Sequence, residues 1–205
     1  MHIASLGHSP QSVGLGSSAA LGVATALAAR KVYDFDLEDI QLVQVAYLSE
    51  TAFMGKREKI TDQLSSFFIT DGQALFLDLR TLEYRPVRID LGNLRFILTD
   101  SGVKQQGVTE EIEERYEQCN QSVDLLRDHV NQKTLRDYTE QDLKMGMGVL
   151  SENSRRLCTH VVGENSRVKE GMSLLQRHDG IGFGKLLQRS HESLRDNFEV
   201  SCPEI

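Results

Sequence analysis

The stretch SVGLGSSAA, residues 12–20, decides how this chain is read, because a helix begins inside it where side chains are almost absent. Gly14 and Gly16 let the backbone turn tightly and approach a ligand, while Ser17 and Ser18 open a helix whose free amides and dipole favour an anion. A phosphate fits that description. The loop holds no lysine, so it is not the Gly-rich, Lys-terminated loop of the common nucleotide-binding fold. Phosphate charge would be offset by helix amides and a metal, and serine hydroxyls can contribute to a magnesium site. A loop of small residues also serves as a tight packing contact or a plain cap.

Working outward, Ser17 to Lys31 is rich in Ala and Leu and reads as a core helix, apolar all round and therefore buried. Asp36, with Asp39 three residues on, caps a second helix running to about Phe53, in which Leu37, Ile40, Val43 and Tyr47 recur at helical spacing. From Ser66 the pattern turns to strands: FFIT, an Asp71-Gly72 turn, ALFLDL and YRPVRID form a meander with a tight hairpin, roughly Phe67 to Asp90, and LRFILTD adds a strand after Gly92. Beyond Thr109 the chain is helical and charged, broken at Gly146, at Gly163 and in the DGIGFG stretch around Gly180. The expected fold is α+β, with a seam between residues 91 and 92.

Composition bounds the partners. The chain has 205 residues and a net charge of −7, with pI near 5.4, which argues against a broad basic surface for nucleic acid. No apolar run approaches the length of a spanning helix, and residues 1–10 lack the pattern of a secretory leader. Cys119, Cys158 and Cys202 stand far apart, as core thiols of a reducing compartment do, which points to the cytoplasm. His8, His129, His160, His178 and His191 show no metal-like spacing and read as structural or surface residues.

Order along the chain carries more. Pro10 with GLGSSAAL resembles the second motif of the GHMP kinases, and SETAFMG with the following Asp62-Gln63 is similar to the segment bearing the galactokinase catalytic aspartate. GQALFLDLRTLEY, TDSGVKQ, RRLCTHVVGENSRV and SHESLRDNFEVSCPEI resemble successive later segments of the same family. The chain therefore looks like a galactokinase-like GHMP kinase. The resemblance implies a two-domain kinase architecture, residues 1–91 and 92–205, and an ATP-dependent phosphorylation of a small-molecule sugar with Mg2+. By resemblance, Gly14, Leu15, Gly16, Ser17, Ser18 and Ala19 cradle the ATP phosphates, Ser18 and Glu50 hold magnesium, and Asp62 takes or orients the proton of the sugar hydroxyl. Without it, Glu50 reads as a solvated helix carboxylate and Asp62 as an N-cap.

The departures bear on substrate. Galactokinases open with an R-x-N-L-I-G-E-H-type motif that supplies a catalytic arginine and close with a Gly-rich motif. This chain starts after the first and stops before the second, so the expectation is an incomplete chain, inactive alone and prone to associate through open sheet edges. Lys59 stands where the family has a glycine near the sugar, and Ile112 where it has a galactose-contacting tyrosine, with Arg115 and Cys119 kept. Lys56, Arg57 and Lys59 would suit an acidic or modified hexose if they face the pocket, and otherwise form a solvated basic turn. A non-catalytic sugar or nucleotide sensor on the kinase fold is the remaining alternative.

Overall fold

The structure is a computed structural model and describes residues 4–8, 10, 14–54, 60–103 and 108–205. The fold is α+β, helix-rich with a small sheet, and the chain divides into two compact units, Met1–Ile89 and Asp90–Ile205.

The first unit holds α1 (Ser17–Tyr33), α2 (Asp39–Met54), α3 (Thr61–Phe68) and a hairpin of β1 (Gln73–Asp78) and β2 (Glu83–Arg88). Helix α1 starts where its sequence predicts, with Gly16 as N-cap in the left-handed region at φ 65°. It ends at Asp34, also left-handed, whose N–H donates to the Arg30 carbonyl, with Arg30 and Lys31 placed to complement the C-terminal dipole. The expectation of a helix buried all round is corrected. Only Ala19 and Val23 of α1 are buried, and Leu21, Val32 and Tyr33 are each more than half exposed. One narrow stripe of the helix packs on α2 and α3, whose buried apolar residues are Leu42, Val43, Ala46 and Leu64.

Helix α2 is not capped by Asp36. It begins after Glu38, whose N–H donates to Gln41 Oε1 at 3.0 Å, the backward half of a capping box. Asp39 instead faces Arg30, which donates to it at 2.8 Å and to the Leu37 carbonyl at 3.1 Å, tying the α1–α2 connection.

The meander is also corrected. Phe67 and Phe68 end α3 and are not a strand, because Leu64, Phe67 and Phe68 recur at spacings of three and four and build one helical face. Phe68 stacks on Tyr84 of β2 at 4.1 Å, which docks α3 on the hairpin. The Asp71-Gly72 turn joins α3 to β1, while the hairpin closes through residues 79–82, where Asp78 Oδ1 accepts the N–H groups of Arg80 and Thr81. β1 and β2 pair antiparallel from Gln73↔Arg88 to Asp78↔Glu83. LRFILTD forms no ladder: Ile97 and Leu98 are exposed, and among the described residues no strand lies beside them to take their amides and carbonyls.

The second unit holds α4 (Val108–Leu126), α5 (Glu140–Gly146), α6 (Glu152–Gln176) and α7 (Gly180–Asp196), with 3-10 turns at Leu135–Asp137 and Met147–Val149. Its core gathers Cys119, Val123 and Leu126 of α4 with Leu143 of α5 and Leu157, Cys158 and Val162 of α6. Thr139 and Asp142 form a capping box on α5, and Ser151 caps α6. Gly163 does not break α6, which passes through it and Gly171; at Gly171 a Cβ would meet Leu186 and Phe183 of α7 at 3.2 and 3.3 Å, so the small residue serves helix packing. The DGIGFG glycines lie inside α7, whose Asp179 side chain caps it from Gly182 N at 2.8 Å. The break sits before them, at His178 with φ 57°.

Candidate functional site

The residues singled out between 14 and 62 come together in the first unit. Gly14 and Gly16 both have positive φ, 75° and 65°, so the loop reaches α1 through two left-handed turns that only glycine adopts without strain. Gly16 has no side chain to cap the helix, and Ala20 N is the first amide bonded back, to the Gly16 carbonyl at 3.0 Å. The amides of Ser17, Ser18 and Ala19 therefore belong to the open first turn, at the positive end of the dipole. Leu15 is half exposed at the loop's tip. The loop is no strand interior, which would have removed the phosphate reading.

Two carboxylates approach this turn. Ser18 Oγ donates to Glu50 Oε1 across a sequence separation of 32. Glu50 is thus no isolated solvated carboxylate. Asp62 stands in the first turn of α3, where Ile60, and not Asp62, is the N-cap, so the cap reading is corrected. A Cβ built on Gly16 would lie 3.2 Å from Asp62 Oδ2. Any side chain at this position would press on that carboxylate, and the positive φ of Gly16 further favours glycine.

Gln63, beside Asp62, was not among the residues the sequence marked, yet it completes the cluster. Its Nε2 donates to Glu50 Oε2 at 2.8 Å, and the side chain is 2 % exposed. The signal was present: a polar residue four before Phe67, on the apolar side of α3. Gln63 Oε1 is buried and has no partner among the described residues. Such an orphan costs about 1–3 kcal/mol, offset in part because the Nε2 bond is to a carboxylate.

One hydroxyl and one carboxylate oxygen side by side are hard donors of the kind magnesium takes, and Ser18 with Glu50 fits it. Among the described residues no group of three or more His, Cys, Asp or Glu converges on a metal position. Lys56, Arg57 and Lys59 lie outside the described residues.

Residues 1–69 match the GHMP kinases N terminal domain. The chain is 40% identical over 195 residues to a galactokinase of Thermotoga petrophila, covering 95% of the chain and 53% of that relative. It is 36% identical over 200 residues to a galactokinase of Streptomyces coelicolor, covering 96% of the chain and 51% of that relative. Residues 1–69 are thus similar to a GHMP kinase N-terminal domain, and the chain is similar to galactokinases along 95% of its length. It spans about half the length of the curated relatives it matches. In structure it superposes on Lactococcus lactis galactokinase complexed with galactose with a TM-score of 0.83 at 23% identity, over 97% of this chain and 51% of that one, which shows the shared fold.

Other marked residues of the galactokinase-like chain serve packing. Arg115 donates to the Glu199 carbonyl at 3.0 Å and lies over the Phe198 ring, holding the C-terminal segment. Half-buried Ile112 is on the same helix. His160 is buried, with Nδ1 3.0 Å from Ser193 Oγ and its ring 4.7 Å from that of Phe198; burial lowers its pKa. Cys119 and Cys158 are core thiols, and burial pushes Cys119 up to about 12, whereas Cys202 is half-buried, correcting its placement in the core. Among the described residues no helix is long and apolar enough to cross a membrane.

Proposed function

We propose that the chain belongs to an ATP-dependent sugar kinase that phosphorylates the anomeric hydroxyl of galactose or a related hexose. The observation that carries this reading is the convergence of the open first turn of α1, the Ser18–Glu50 pair and Asp62 around Gly16. The galactokinase relatives, and the galactose held by the structural neighbour, support the choice of sugar. Residues 1–91 then correspond to the N-terminal kinase domain and 92–205 to part of the C-terminal one, in a cytoplasmic enzyme whose thiols stay reduced.

In this reading the loop from Gly14 to Ala19 binds the ATP phosphates through the amides of Ser17, Ser18 and Ala19, with Leu15 carried on the loop. The sugar hydroxyl oxygen attacks the γ-phosphorus, the bond from that phosphorus to the β-phosphate oxygen breaks, ADP leaves, and the hydroxyl proton passes to Asp62. Phosphoryl transfer of this type asks a protein mainly to position and to balance charge. Ser18 and Glu50 would hold Mg2+, which when bound neutralises charge on the phosphates. Lys59, by the resemblance, stands on the sugar side.

Two variants test the reading. Calorimetry of the 205-residue chain with ATP, with and without Mg2+, is expected to give weaker magnesium-nucleotide binding for Ser18→Ala and little change in melting temperature. A purely structural role for the Ser18–Glu50 hydrogen bond would instead cost about 1 kcal/mol of stability and leave affinity alone. Turnover is read in a hybrid in which this chain replaces the matching half of the Thermotoga petrophila relative. There Asp62→Asn should cut galactose phosphorylation at least about 100-fold with nucleotide affinity kept, and full turnover would remove Asp62 from the chemistry.

A further inference from the structure

We infer that Gln63 is the positioning residue of the divalent-cation site, fixing the Glu50 carboxylate so that one of its oxygens faces Ser18. The inference rests on the magnesium-phosphate reading of this site. Glu50 lies in the last turns of α2 and Gln63 in the first turn of α3, so their 2.8 Å bond joins the two helices at the edge of the loop. The Gln63 nitrogen can only donate, so it occupies Glu50 Oε2 and leaves Oε1 to the Ser18 hydroxyl. Donors at both oxygens fix the plane of the carboxylate.

The partnership runs in one direction. Gln63 is 2 % exposed and its Oε1 finds no donor among the described residues, so no other side-chain bond orients the amide. A carboxylate that must offer an oxygen to a cation gains from a neutral donor behind it, since a cationic one would compete for the charge. Such outer partners typically change metal affinity 10- to 100-fold when removed. The same buried residue is the neighbour of Asp62, so the anchor that aims Glu50 also seats the turn bearing the second carboxylate.

The probe is Mn2+ in the presence of ATP, counted by electron paramagnetic resonance on the 205-residue chain. Gln63→Met, which keeps the length and loses the donor, is expected to weaken Mn2+ binding about 10-fold or more. In a Glu50→Gln background it should add nothing, because the effect passes through Glu50. A lowered melting temperature with unchanged Mn2+ affinity overturns the proposal and leaves Gln63 a packing residue. Should Gln63→Met fail to fold, Gln63→Asn, which retracts the amide by one carbon, is read for the same loss. In the unmutated chain the Gln63 side-chain amide resonance should broaden early in a Mn2+ titration, and an unbroadened one overturns the proposal. Unmutated chain that takes up no Mn2+ with ATP sinks the site reading itself. Uptake lost in Glu50→Gln but kept in Gln63→Met sinks only this inference.

Discussion

At the scale of single residues, Gly14 and Gly16 separate backbone strain from site chemistry. Both have positive φ, but a Cβ on Gly14 meets nothing within 4 Å while one on Gly16 meets Asp62 at 3.2 Å. Each change to Ala should cost about 1–2 kcal/mol in urea unfolding, from the left-handed conformation alone. Gly16→Ala should in addition weaken nucleotide binding by displacing the Asp62 turn, whereas Gly14→Ala should not pass that displacement on. Equal binding losses in the two variants would show that the close approach to Asp62 has no bearing on the site. The thiols give a second residue-scale expectation. Cys202, half-buried, should react first with iodoacetamide, and Cys119, whose thiol is held protonated by burial, should react only as the protein unfolds. Mass mapping of the alkylated peptides reads the order.

At the scale of elements, the start of α1 was legible and several other boundaries were not. The start of α1 could be read because glycine followed by small residues is a local signal, set by φ and by unpaired amides. Phe67 and Phe68 misled because a four-residue apolar run carries no period of its own, and only Leu64 ahead of them shows the helical face. LRFILTD reads as a strand, yet a ladder needs a neighbour, which sequence pattern does not supply. Gly163 read as a breaker, yet α6 runs through it and on through Gly171, where packing against Phe183 and Leu186 of α7 outweighs the roughly 1 kcal/mol that glycine costs a helix. Of the residues that converge, Ser18, Glu50 and Asp62 were marked through the resemblance, while Gln63 was given no role because its bond to Glu50 is a contact between α2 and α3.

At the scale of the whole chain, two units with separate cores predict separable responses to acid. His160, in the second unit, has its pKa lowered from 6.5 by burial, with Glu164 opposing and Arg167 adding to the shift. The unfolded histidine therefore binds its proton at higher pH than the folded one. The second unit should be at full stability from this source above about pH 6.5, lose stability as pH falls below that value, and level off once pH passes the folded pKa. Melting curves across pH 5–7.5 should show this loss, and His160→Gln should flatten it; an unchanged slope would show that His160 does not carry the dependence. The first unit exposes Leu21, Val32, Phe35 and Phe53, an apolar surface that should give concentration-dependent association in light scattering. Local stereochemistry and motif order already carried the glycine loop, the helix starting at Ser17, the hairpin strands and the likeness to galactokinases. Which face of α1 is buried, that Glu50 meets Ser18 across 32 residues, and that a buried glutamine stands behind it came from the packing of separate helices, because no local pattern encodes such a distance.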